Sequence, residues 1–510
     1  MPLVDTFFES DGVGEFSLAN LSLIMVNDRK RLDEVEPETD EERLDAWLAD
    51  TAYFHELRHY HDLVGSVCGL HTFLESTAWV DRILTALAES EGEITVPIRK
   101  RQPDSAIATL HRSYKRFMDV VIGDGEIRPA PDDSELRHSI VEFASEDPPV
   151  TTRYPLAPIP KQNGLTGEFE EFAHPVGLRA LMELTATEIQ FVLSAVGAGK
   201  DEDDMAPRAL RYLDLCGRLF RGGYTRYFSA RLIAEYDRMQ RRGLPPARTT
   251  PPMAMLMPIA QTALDFSGYQ AIATPWGGHS WEFEHPGLAY FHFLGELSAE
   301  LEKKSLTEIA NAVSKACVNA SYDDYLASYV RRLEEGREHM PQRLSPEAAT
   351  NGIVRYIRKA VVNEHLVLMR SKRDHLQSWL HPYDYLENCD KLPLPPLRFV
   401  SGEFRVRRED MDGVQFVIWT FLIAFVEGIL EHGEVRCPIR HHMRAAGRFM
   451  AFPDIERALP RTSCTAYIDS SACGAYNGAF ASTQPMACPF AYLTQKFIKE
   501  WGRNVTFRGG

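Results

Sequence analysis

His55-Glu56-Leu57-Arg58-His59 (HELRH) reads HExxH, and whether this stretch is a metal-binding helix decides how the rest of the chain is read. On a helix, residues four apart stand on one face, so the two imidazoles can share one zinc ion while Glu56 projects beside it. Zinc lowers the pKa of a water toward neutrality, and a carboxylate in that place can take the water's proton. The helix is signalled upstream. Glu41 to Ala52 (EERLDAWLADTA) carries Leu44, Trp47, Leu48 and Ala52 at helical spacing, the pattern continues through Leu57, Leu63, Val64 and Val67, and no Pro or Gly intervenes before Gly65. The bland alternative is a solvated surface helix on which Arg58 pairs with Asp62 at i, i+4 and the histidines are incidental.

A catalytic zinc on two helix histidines needs a third protein ligand and an open position. The pattern HExxHxxGxxH would supply a histidine, but Asp62 and Gly65 occupy its glycine and last histidine positions, which excludes it. A glutamate from a later helix is the other common solution. Glu183 is the first candidate, because Leu178 to Val196 (LRALMELTATEIQFVLSAV) is apolar nearly all round and is predicted buried, where a carboxylate requires a partner. Glu75, in Glu75-Ser76-Thr77-Ala78 and closer to the motif, competes with it; its bland reading is an exposed helix residue.

In these residues the chain resembles the zincin metallopeptidases, in the glutamate-ligand branch called gluzincins: His55, Glu56 and His59, then Glu183-Leu184-Thr185-Ala186 in the ExxA form of the third ligand. The resemblance implies one zinc per chain on His55, His59 and Glu183, Glu56 as general base and proton shuttle, and a peptide or protein substrate. It covers two helices. The chain departs from the pattern in the long interval between His59 and Glu183, and in Thr187, which stands where an aspartate is expected four residues after the third ligand. His61 and Asp62 are candidates to support the site from behind, Asp62 by orienting an imidazole. His279 and His285, in TPWGGHSWEFEHP, are candidates to stabilise an oxyanion.

A rival chemistry has to be weighed. Di-iron carboxylate proteins use Glu-x-x-His on paired helices, and that spacing occurs at Glu56/His59, Glu135/His138, Glu171/His174 and Glu282/His285. Against it, the last two pairs sit beside Pro at helix entries and His55 would have no role. Cys437, Cys464, Cys473 and Cys488 could close a structural zinc site, but no CxxC pair occurs, so buried free thiols are the expectation.

At 510 residues and 44% hydrophobic content, the chain can bury a large core. A net charge of -16 without a dense Lys/Arg tract argues against nucleic-acid binding. Unpatterned cysteines and an amino terminus lacking a signal-like run fit a cytoplasmic protein. Val414 to Leu430 is the only membrane-like run, and Gln415, Thr420 and Glu427 favour a core helix over stable membrane insertion.

The expected architecture is mainly α with a small β-sheet: a zincin-like helix pair in a larger helical body. Composition divides the chain into an N-terminal region with the HExxH helix (1–122), a Pro/Asp-rich insertion or lid (123–167), a helical region carrying Glu183 (168–335) and a C-terminal helical region with the cysteine tail (336–510). Strands are predicted at Phe16–Val26, Glu93–Ile98, Leu397–Val406 and Asn504–Arg508.

Overall fold

The computed structural model describes residues 14–17, 22–25, 40–90, 94–123, 128–129, 138–143, 150–162, 169–196, 253–266, 285–296, 304–335, 345–400, 403–406 and 412–432. These are mainly helical, and every residue whose side-chain surroundings are described lies in a helix or in a connection beside one.

Helix α1 (Asp40–Val64) carries the motif and turns directly into α2 (Val67–Glu89). The turn is built from Gly65 and Ser66. The Ser66 hydroxyl accepts the Gly69 N–H at 3.1 Å and so caps α2. Close approach demands the glycines: a Cβ on Gly69 would stand 1.7 Å from the Leu63 carbonyl oxygen, and one on Gly65 would stand 2.6 Å from the Trp379 ring.

Further helices among the described residues are α3 (Ile98–Arg101), α4 (Ala106–Val121), α5 (Leu178–Val196), α6 (Met253–Phe266), α7 (Pro286–Glu296), α8 (Leu306–Val318) and α9 (Tyr322–Glu334). They are followed by α10 (Gly352–Asp374), α11 (Leu376–Leu380), α12 (Pro382–Asn388) and α13 (Asp412–Glu427), which runs on into a π turn at Gly428–His432. Ser105, Ser305, Ser321 and Asn351 each cap a helix with a side-chain oxygen, and Ser305 with Glu308 forms a reciprocal capping box. Tyr385 of α12 joins Ile189, Met257 and Leu392 in a small cluster, while a continuous apolar core runs through most of these elements, from Ala52 on α1 through Leu181, Leu264 and Leu368 to Leu430. The membrane-like run is part of it: Phe416, Trp419, Leu422 and Phe425 are buried, and no described helix is long and apolar enough to cross a membrane.

Strands are described by backbone pairing alone. β1 (Gly14–Ser17), β2 (Ser22–Met25), β7 (Leu397–Val400) and β8 (Glu403–Val406) lie in that order, with β2 parallel to β7 and the other pairs antiparallel. In and just after the stretch assigned to a Pro/Asp-rich insertion or lid, strands pair in the order β3 (Arg128–Pro129), β6 (Phe169–Pro175), β5 (Val150–Gln162) and β4 (His138–Phe143), all antiparallel. Register explains how β5 tolerates its prolines. β4 meets only residues 150–155 and β6 only 156–162, so Pro155, Pro158 and Pro160 each face a single neighbour and no proline is flanked on both sides.

The strand predicted at Glu93–Ile98 does not form. Pro97, without an N–H to give to a ladder, stands at the N-cap of α3 and Ile98 begins that helix. A break at His375 separates α10 from α11. The strand at Asn504–Arg508, His279 and Cys437, Cys464, Cys473 and Cys488 lie outside the described residues.

Candidate metal centre

Helix α5 packs along α1 with opposite chain sense. Glu183 meets His59 and His55 and Thr185 donates to Asp62, whereas Gln190, further along α5, reaches back to His55 and Thr51. Glu183 and Gln190 are seven residues apart, two turns on one face, as Thr51, His55 and His59 are on the other helix.

The three candidate ligand atoms converge. Glu183 Oε2 stands 3.1 Å from His55 Nε2 and 3.5 Å from His59 Nε2, and the imidazole centroids are 4.4 Å apart. Ligands about 2.0–2.1 Å from a tetrahedral zinc lie about 3.3 Å from one another, and both carboxylate-to-imidazole distances are near that value. His59 Nε2 is buried without a hydrogen bond, an orphaned donor or acceptor that a metal would satisfy. Two imidazole nitrogens and one carboxylate oxygen are the donor set of many catalytic zinc sites. Glu56 Oε2 lies 3.4 Å from His59 Nδ1. His55 and Glu56 form the more open edge, their side chains 13% and 11% exposed against 7% for Glu183.

Charge at the centre is coupled. Burial disfavours the His59 imidazolium, but Glu183 and then Glu56 carry its pKa up to about 10. Burial likewise opposes ionisation of Glu183, yet His59 and His55 hold its carboxyl well below the usual carboxylate range. The metal-free site therefore keeps a proton on His59 where a metal's charge would otherwise sit.

The other candidates go elsewhere. Glu75 is buried, not exposed, and its charge acts on Arg358 of α10, which also donates to Thr77 at 2.8 Å. His61 is held by the Tyr385 hydroxyl at 2.9 Å and the Pro393 carbonyl at 2.8 Å, and burial pushes its pKa down to about 3. Asp62 orients no imidazole in these contacts: it pairs with Arg58 and accepts from Thr185 and Gln261. Nor is the Arg58–Asp62 pair solvated, as both side chains are fully buried. His285 directly precedes α7, its carbonyl accepting from Leu288 and Ala289, and its ring is buried. Of the four Glu-x-x-His pairs, Glu56/His59 lies on a helix, whereas Glu171/His174 lies on β6 and His138 on β4, so the paired-helix setting of a di-iron site is not met among the described residues.

Sequence reasoning passed over two groups. Gln190, whose only signal is its place on the Glu183 face of α5, accepts from His55 Nδ1 at 3.0 Å. His111, Glu427 and Glu431 also gather, with each ring nitrogen of His111 3.4 Å from one carboxylate. Lys115 stands 2.7 Å from the same Glu431 oxygen and Arg99 pairs with it. Although burial raises the Glu431 carboxyl, these two cations hold it down to about 2. Two resident cations make this an ion network joining α3, α4 and the π turn; a further cation would meet their repulsion.

No known protein family, curated protein or solved structure matches the chain.

Proposed function

We propose that the chain is a zinc-dependent hydrolase acting on peptide bonds, with one zinc on His55, His59 and Glu183. The observation that carries this reading is the convergence of His55 Nε2 and His59 Nε2 on Glu183 Oε2 from two packed helices. Zinc, when bound, supplies an electrophile that polarises the scissile carbonyl and makes a water acidic near neutral pH.

The chain's own residues do the rest. Glu56, at the open edge, takes a proton on its carboxylate as the water oxygen bonds to the peptide carbon. When the C–N bond breaks, Glu56 gives that proton to the leaving amine nitrogen and returns to its ionised form. The exposure of His55 and Glu56 gives substrate a direction of approach, while Glu183 lies deeper. Antiparallel and parallel strand pairing near α1, through β1 and β2, supports the small sheet that a zincin cleft would use. A cytoplasmic setting belongs to the same proposal, supported by the unpatterned spacing of the eight cysteines.

Elemental analysis of untagged protein tests the ligand set. About one zinc per chain, lost in His59→Ala and in Glu183→Ala, is the expected result. Two irons per chain would move the chemistry to an oxidative site. Zinc indifferent to both substitutions, or absent from the wild type, would overturn the proposal.

A further inference from the structure

We infer that Gln190 is the positioning residue of the centre: its amide fixes the tautomer and ring plane of His55. The inference rests on the zinc reading above and adds to it a residue that neither the motif nor the gluzincin pattern points to.

The geometry is a short relay across the two helices. His55 Nδ1 lies 3.0 Å from Gln190 Oε1, and Gln190 Nε2 donates to Thr51 Oγ1 at 2.9 Å. Both supporting side chains are buried, Gln190 at 6% and Thr51 at 3% exposure. An amide has a donor end and an acceptor end. With the NH2 spent on Thr51, the carbonyl oxygen faces the imidazole, and an acceptor on Nδ1 places the proton there. Nε2, the nitrogen beside Glu183, is then the one free to give a lone pair to a metal. Were the amide reversed, its NH2 would claim Nδ1 as acceptor and force the proton onto Nε2, which would block coordination.

This relay also accounts for Thr187. In the gluzincin pattern a carboxylate stands at that position; here the Thr187 hydroxyl donates to its own helix, to Glu183 O at 2.7 Å and Leu184 O at 3.0 Å. Support for the imidazole comes from one turn further along α5, and from a neutral group. His59 is treated differently, since its Nδ1 faces the charged Glu56. The two imidazoles thus receive unequal support: a fixed amide for His55, and for His59 the same carboxylate that has to move a proton.

The test is zinc affinity by chelator competition, with unfolding of the metal-free proteins measured in parallel. Gln190→Met keeps length and volume but has no acceptor oxygen; it should weaken zinc binding about 10–100-fold. Gln190→Glu restores an acceptor and should bind at least as tightly as the wild type. Thr51→Val frees the amide without touching a ligand and should weaken binding by a smaller factor, giving a second reading should the Met variant fold poorly. Wild-type affinity in both Gln190→Met and Thr51→Val would overturn the role of Gln190 while leaving the zinc reading intact. Equal losses in Gln190→Met and Gln190→Glu would assign the effect to packing and overturn it as well. A wild-type protein that binds no zinc would bring down the zinc reading, and this inference with it.

Discussion

Arg58 and Asp62, one helical turn apart and 2.9 Å from each other, are both fully buried, with Asp62 two turns on from His55 along α1. Arg58 also donates to the Trp379 carbonyl at 3.1 Å and lies over the rings of Tyr385 and Trp379, 5.0 and 5.7 Å from their centroids. A second buried pair continues the network, with Lys372 2.9 Å from Asp265 and 2.7 Å from the Gly65 carbonyl. Each of these two cations is matched by a carboxylate, so this part of the interior stays neutral.

Removing one partner should therefore be far worse than removing a surface pair. Asp62→Asn leaves the Arg58 charge buried without its counter-ion and should cost about 3–5 kcal/mol of stability. Urea denaturation of the metal-free protein measures this; a loss under about 1 kcal/mol, the range of exposed pairs, would contradict the buried network.

Glu56→Gln separates catalysis from metal holding. The amide cannot accept the water's proton, so hydrolysis should fall by about 10²–10⁴-fold with zinc content unchanged. Peptide-library cleavage and elemental analysis of the same preparation are the readouts. Zinc bound at full occupancy in a wild type without any hydrolytic activity would point to a non-catalytic zincin-like scaffold.

Stability should also depend on pH through His365. Its Nε2 accepts from the Tyr329 hydroxyl at 2.9 Å and its Nδ1 donates to the Val64 carbonyl at 2.5 Å. Burial, aided by the Lys372 charge and opposed by the Val64 carbonyl, pushes its pKa from 6.5 down to about 3. Between those values the unfolded chain binds a proton that the folded chain refuses. The stabilisation is complete above 6.5 and is lost as pH falls toward about 3. Unfolding free energies measured across this window should fall with acidification in the wild type, and His365→Gln should flatten the slope.

At the α1–α2 turn, Gly65→Ala should destabilise by about 1–3 kcal/mol, since its Cβ would meet the His61 carbonyl oxygen at 2.4 Å and the Trp379 ring at 2.6 Å. Thermal unfolding checks it, and an unchanged midpoint would mean that Trp379 can move aside.

What the sequence discloses follows the range of the forces involved. Helical periodicity is local, and the span read at Leu178–Val196 coincides with α5. The HExxH face is local too, and a buried Glu183 follows from the apolar circumference of its helix. Arg58 and Asp62 show the limit. An i, i+4 charge pair looks the same in sequence whether water or protein surrounds it, and what buries this one comes from Thr185, Gln261, Trp379 and Tyr385, far along the chain. Gln190 was illegible for another reason: an amide on a buried helix carries no charge that demands a partner, so nothing marks it until α1 is laid beside α5.

The crossing of those two helices sets how the centre can move. Within a single stretch of α5, Glu183 faces the imidazoles and Thr185 is bonded to Asp62, the carboxylate that neutralises Arg58. Drawing α5 away from α1 would strip the imidazoles of their oxygen and at the same stroke leave a guanidinium short of a partner in the protein interior. The helices that carry the candidate ligands are latched together rather than hinged, and on the proposed reading a substrate would approach from the side of His55 and Glu56.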